Sequence, residues 1–200
     1  MRRMTATAII LVTGLATAGL AGCAGSGRSA AGSRAPVTSS STPTTTWSTP
    51  TAGTPPFPAD TSADTGQASA DAHLTVSDVT VGAHDGYDRV VLTLGGTGSP
   101  GWRAEYVDSP VDDPSDQVVP VTGSAFLRLV IDGSGYPQDT GVAEWSGSPL
   151  RPTGLAQVHE VNVRGVFEGQ TLTFVGLDHV APFRVFALAD PTRLVVDIQH

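Results

Sequence analysis

In the C-terminal part of the chain, apolar and polar residues alternate with a period of two. Val90, Leu92 and Leu94 are interleaved with Arg89, Val91 and Thr93, and Leu127, Leu129 and Ile131 flank Arg128 in the same way. Val161 and Val163 alternate with Glu160, Asn162 and Arg164, and Leu172 and Phe174 alternate with Thr171 and Thr173. Leu194, Val196 and Ile198 alternate with Arg193, Val195 and Asp197. Successive strand side chains point to opposite faces, so each run predicts a half-buried strand. Segments around 75–81, 102–107 and 183–188 are further strand candidates. Glycine and proline clusters separate the runs: Gly95-Gly96-Thr97-Gly98, Gly133-Ser134-Gly135 and Ser148-Pro149. No long 3.6-residue period competes with this pattern. Eight or so short strands with such turns predict an all-β fold, a single β-sandwich or a closely related barrel. The longest irregular stretches fall at 108–116 and 133–155. The second is long for a compact domain and is expected to cover an end of the sandwich or line a site.

The alternation begins near His73. From there to His200 the chain is long enough for one core and one domain. Residues 23–72 contrast with it. Runs such as Thr42-Pro43-Thr44-Thr45-Thr46 and Thr54-Pro55-Pro56-Phe57-Pro58 hold few large apolar residues. Too little burial is on offer there to offset ordering entropy, so a disordered Ser/Thr/Pro/Ala-rich tether is expected.

Residues 1–22 form a third pattern. Arg2 and Arg3 precede an apolar run from Ala6 to Leu20, and Leu20-Ala21-Gly22-Cys23 closes it. Charge, short apolar core and small residues in this order predict a secretion signal. The run is broken by Gly14 and Gly19 and is short for the roughly 20 residues that span a bilayer. Cys23 is the only cysteine. Its place at the end of the apolar core resembles the lipobox of bacterial lipoproteins. That resemblance implies a diacylglyceryl group on the Cys23 sulfur, cleavage before it, and attachment to the outer face of the cell membrane. With Cys23 lipidated, neither a disulfide nor a thiol nucleophile remains.

All eleven basic residues other than histidine are arginine, and the formal net charge is −8. Removal of Arg2 and Arg3 makes the chain more acidic still. This balance disfavours nucleic acid as a partner. The arginine-only usage, with abundant Ala, Gly, Pro and Thr, resembles the composition of high-GC actinobacterial proteins.

Catalytic patterns are absent. No Gly-x-Ser-x-Gly elbow occurs, and Ser134 between two glycines reads as a turn residue. His84 and His179 fall beside Asp85 and Asp178 in turns, and His159 shares the Val161/Val163 face, where a packed histidine is expected. No His-x-x-x-His or cysteine spacing supports a metal site. Asp108, Asp112, Asp113 and Asp116 make an acidic loop that lacks the spacing of a calcium-binding hand. No enzyme activity, cofactor or metal is expected. Tyr136 and Trp145, with Asp139 and Glu144, are read as either a sugar-stacking surface or a cap on the core.

The C-terminal run Pro182-Phe183-Arg184-Val185-Phe186-Ala187-Leu188-Ala189-Asp190-Pro191-Thr192-Arg193-Leu194-Val195-Val196-Asp197-Ile198 resembles the end of AMIN domains, β-sandwich modules found beside cell-wall amidases and pilus secretins. Gly86-Tyr87-Asp88-Arg89-Val90-Val91-Leu92-Thr93-Leu94 resembles their early strand. The stretch 75–200 as a whole is most similar to the AMIN-like domain of actinobacterial lipoproteins. The resemblance implies a non-catalytic cell-envelope binding module for peptidoglycan, with a scaffold for other envelope proteins as the alternative. Arg89, Arg103, Arg184 and Arg193 stand at or near the start of strands in an acidic domain. Pairing with carboxylates, with Arg193 and Asp197 on one face of a strand, is one expectation. The other is a ligand site for a carboxylate, for which Arg103 and Arg184 with Tyr87 and Tyr106 are the candidates.

Overall fold

The computed structural model describes residues 60–200. Eleven strands and one short helix follow in chain order: β1 (Asp64–Gly66), β2 (His73–His84), β3 (Tyr87–Thr97), β4 (Gly101–Val107), β5 (Val111–Asp112), β6 (Gln117–Val118), β7 (Ala125–Asp132), α1 (Pro137–Thr140), β8 (Val158–Phe167), β9 (Gln170–Leu177), β10 (Phe183–Leu188) and β11 (Arg193–Gln199). A five-stranded sheet has the order β1-β4-β7-β9-β8, a four-stranded sheet the order β10-β11-β3-β2, and β5 and β6 form a small hairpin. Every ladder is antiparallel. The all-β expectation holds.

Alternation decides what lies between the sheets. Val90, Leu92 and Leu94 of β3 and Leu194, Val196 and Ile198 of β11 meet Leu127, Leu129 and Ile131 of β7 in one core. Each such side chain, fully buried, contributes about 1.5–3 kcal/mol. On β9 the alternation holds, but it runs opposite to the simplest reading. Val175 and Leu177 belong to the main core, whereas Leu172 and Phe174 pack on the outer side with Val119 and Val130. On β8 a bulge between Val158 and Glu160 resets the parity. His159 is therefore not packed with Val161. It is partly exposed, with Nε2 3.6 Å from Asp178.

The stretch after β7, expected to cover an end of the sandwich or line a site, runs along strand edges. The Trp145 N–H donates to the Val76 carbonyl at 2.8 Å, and Leu150 exchanges hydrogen bonds with Val161 at 2.9 and 2.8 Å. It thereby joins the exposed margin of β2 in one sheet to that of β8 in the other, satisfying groups that an open edge would leave unpaired. Trp145 packs on the core, while Tyr136 stays exposed.

β1 lies within the 23–72 stretch that composition assigned to the tether. Hydrogen bonds rather than burial order it. Asp64 accepts from the Trp102 indole N–H at 3.2 Å and from the Val185 backbone N–H at 2.8 Å, so one carboxylate ties both sheets together. Gly66 lies against the Trp102 ring, whose carbons would be 2.4 Å from any Cβ placed there.

Candidate functional site

The two outer faces of the sandwich differ. Residues 108–123 strap the outer face of the five-stranded sheet. Val119 and Val121 of the strap close a second small core over Val130, Leu172 and Phe174. The strap passes so close to β9 that a Cβ at Gly176 would lie 2.0 Å from the Thr122 carbonyl oxygen. Glu160, buried beneath it, accepts from the Thr122 N–H (3.1 Å), Arg151 (3.0 Å) and Asn162 (3.3 Å). Burial pushes this carboxyl up, but the hydrogen bonds from Thr122 and Asn162 and the Arg151 charge outweigh it and hold the group below its usual range.

The four-stranded sheet carries the 135–142 stretch over one end of its outer face, where the Thr75 hydroxyl meets the Gly135 carbonyl and Thr140 at 2.8 and 2.7 Å and a Cβ at Gly95 would lie 2.8 Å from Val142. Its outward positions are Tyr87, Arg89 and Val91 on β3, Val195 and Asp197 on β11, and Arg184 and Phe186 on β10. The register sets Arg89 and Arg184 directly across from Asp197 on either side. Arg89 donates from Nε to Asp197 Oδ1 at 2.6 Å and from Nη2 to Oδ2 at 2.9 Å. Arg184 donates to Oδ2 from Nε at 2.9 Å and lies 2.7 Å from it through Nη2. Asp197 is fully buried by these neighbours although it faces outward. Its hydrogen bond, ahead of the cost of burial, holds the Arg89 guanidinium above its ordinary value.

Aromatic rings bracket the charges. The Arg89 guanidinium carbon lies 5.3 Å from the Tyr87 ring centre and 5.6 Å from that of Phe186, and the Arg184 carbon lies 6.0 and 5.5 Å from the same rings. These are cation–π distances. His84 stacks on Tyr87 at 4.9 Å with the planes 8° apart. A Cβ at Gly82, in register with Arg89, would meet open space. The result is a firmly held surface of rings and guanidinium groups. Two arginines share one carboxylate, which leaves it one positive charge in excess. Such a surface can stack a sugar ring and attract a carboxylate. It offers no paired nucleophile and base.

Of the four candidate ligand residues, the structure brings Arg184 and Tyr87 together and separates the other two. Arg103 sits on the outer side of the other sheet, where Nη2 pairs with Glu105 at 2.9 Å and the side chain is 60% exposed. The Tyr106 hydroxyl is committed to Ala181, donating to its carbonyl at 2.7 Å and accepting from its N–H at 3.0 Å. Its ring packs edge-on against Phe183, and burial pushes the phenol up despite the Ala181 hydrogen bond. Tyr106 is a structural residue. Arg193 does not pair with Asp197; it donates to the Pro191 carbonyl at 3.2 Å. Cys23 lies outside the described residues. Phe186 and His84, the latter read from the sequence as a turn residue, join the surface. The parity of Phe186 was readable beside Val185; the cross-strand register was not.

The polar candidates Asp112, Asp113 and Ser134 are internally paired. Asp112 is held by Ser115 Oγ at 2.7 Å and Arg164 Nε at 3.0 Å, and Asp113 pairs with Arg128. The Ser115 hydrogen bond, with Arg164 behind it, keeps Asp112 below the usual carboxylate range against the effect of burial. Ser134 donates to the Ile131 carbonyl and accepts from Thr171. Among the described residues no group of three or more acidic, histidine or cysteine side chains is placed to hold a metal, and no helix is long and apolar enough to cross a membrane.

The family model of the AMIN-like domain matches residues 74–200. Neither the curated proteins nor the solved structures contain a match.

Proposed function

The chain belongs to the AMIN-like domain family, whose members are in general peptidoglycan-associated binding modules of the extracytoplasmic envelope, and on that premise we propose that it binds peptidoglycan through the outer face of the four-stranded sheet. The observation that carries this reading is the Tyr87–Arg89–Asp197–Arg184–Phe186 surface. Its rings suit the apolar faces of glycan sugars, and its excess charge suits the carboxylates of stem peptides. Lipid attachment at Cys23 would hold the domain at the outer face of the membrane, with the Ser/Thr/Pro-rich segment as its reach toward the wall.

Sedimentation with purified peptidoglycan tests the reading. The wild-type chain is expected to pellet. Tyr87→Ala and Phe186→Ala are each expected to pellet several-fold less, with melting temperature measured alongside. A wild-type chain that stays in the supernatant ends the proposal. It would leave a scaffold for envelope proteins, using the same face, as the reading to test by crosslinking.

A further inference from the structure

At one end of the sandwich a charge is buried without a full set of partners. Asp88 stands on β3 between Tyr87 and Arg89, but it points inward and is fully buried. Its Oδ2 accepts the backbone N–H groups of Gln157 at 2.6 Å and Val158 at 3.0 Å. Gln157 ends the long stretch after β7 and Val158 opens β8, so this carboxylate fastens that stretch to β3. Its Oδ1 has no hydrogen-bond partner among the described residues. An unpaired oxygen on a buried carboxylate is unfavourable, the more so while the group is charged.

One group is close enough to change this. His200 Nε2 lies 3.8 Å from Asp88 Oδ1, within ion-pair reach but too far for a hydrogen bond. The His200 side chain is 30% exposed, so it exchanges protons with water. The backbone that carries it is held: the His200 N–H donates to the Gly86 carbonyl at 3.1 Å, and the Gln199 N–H to the Pro182 carbonyl at 2.9 Å. A movement of roughly 1 Å brings the ring into hydrogen-bond range. An imidazolium always presents a proton on Nε2 and adds the opposite charge; a neutral imidazole does neither reliably.

The other titratable groups at this end have other neighbours. His84 stacks on Tyr87 on the outer face, and Asp85 is exposed in the β2–β3 turn. Asp178 lies 3.1 Å from His179 and 3.6 Å from His159, whose contacts, that of His179 first, hold it below the usual carboxylate range. His179 also meets the Gln157 side-chain amide at 2.9 Å. Among the described carboxylates, Asp88 is the one within ion-pair distance of the His200 ring.

We propose that Asp88 and His200 form a proton-operated clasp: protonated His200 closes on Asp88 Oδ1 and tightens the hold of β3 on Gln157 and Val158, and the clasp opens as pH rises. A histidine that gains a partner on folding adds stability that is fully present below its unfolded-state value and is lost as pH rises through the folded-state one. Histidines as a class change charge between pH 5 and 8, a window well above that of carboxyl groups. The clasp does not depend on the peptidoglycan reading.

The test is a pH series from 8 to 5 on the full-length chain. It reads the opening of the Gln157 and Val158 amides by hydrogen exchange, corrected for the intrinsic pH dependence of exchange, beside the His200 imidazole resonances. Openings are expected to become about tenfold rarer across the series, in step with the His200 titration. His200→Gln should keep the fold and make the openings independent of pH in this range. His179→Gln, which removes the neighbouring pair with Asp178, should leave the dependence in place. The proposal is overturned if His200→Gln keeps the wild-type dependence, if the wild-type amides open equally often at pH 8 and pH 5, or if the dependence is lost with His179 instead.

Discussion

Asp197 shows how much one residue's setting matters. It faces outward on β11 yet is fully buried, because the arginines on both neighbouring strands fold over it. Replacing it with alanine leaves two guanidinium groups crowded together without their shared carboxylate. Breaking a buried ion pair from one side costs about 3–5 kcal/mol, and Asp197→Ala is expected to lose stability on that scale in chemical denaturation. Arg103→Gln, at an exposed pair, is expected to lose less than about 1 kcal/mol. A second prediction concerns Glu160, whose carboxyl is held below its usual range. A folded-state pKa below the unfolded one gives stability that is fully present above the unfolded value, about 4.3, and is lost as pH falls through the folded value. Glu160→Gln should therefore lower stability near neutral pH and flatten its fall below about pH 4. Parallel denaturation curves for the two proteins from pH 6 to 2 would show this acid-range loss to come from other groups.

At the scale of elements, the two sheets are finished by segments with little regular structure. The 108–123 strap seals one outer face with Val119 and Val121, and the stretch after β7 closes the margins of β2 and β8. β1 is only three residues long, and Asp64 does much of its anchoring. Hydrogen bonds to a charged group contribute about 1.5–3 kcal/mol each. Asp64→Ala is expected to release β1 and to speed hydrogen exchange at the Val185 amide by at least tenfold, while amides of the β3–β11 ladder keep their protection. Unchanged exchange at Val185 would show that β1 is held by something other than this carboxylate.

At the scale of the whole molecule, the proposed binding role at the envelope calls for a means of holding the domain near its ligand. The lipobox resemblance at Leu20-Ala21-Gly22-Cys23 supplies the proposed means. Cys23→Ala is expected to move the protein from the membrane fraction to the medium, or to leave it unprocessed, as read by fractionation and intact mass. Processed protein still in the membrane fraction would remove lipidation from the reading. Acyl anchoring is reversible with one chain and stable with two or more, so a diacylglyceryl group at Cys23 would suffice as the proposed anchor.

The sequence by itself determined the fold class and the eight longer strands. Period-two alternation is a local property, and burial of Val90, Leu92 and Leu94 or of Leu194, Val196 and Ile198 follows from it wherever the sheets end up. It also marked Arg184 and Tyr87, through motifs that are contiguous in the chain. Only the tertiary structure decided what the outward positions do. Asp197 has its partners 108 and 13 residues away, and no spacing rule selects Arg89 and Arg184 over Arg193. Nor could composition foresee that Asp64 would order a stretch poor in apolar residues, or that a bulge in β8 would turn His159 away from Val161. Hydrophobic pattern sets which face of a strand is buried, because that depends on neighbours in sequence. Which side chains meet on an outer face depends on strand order and register, which are fixed only when distant segments pair.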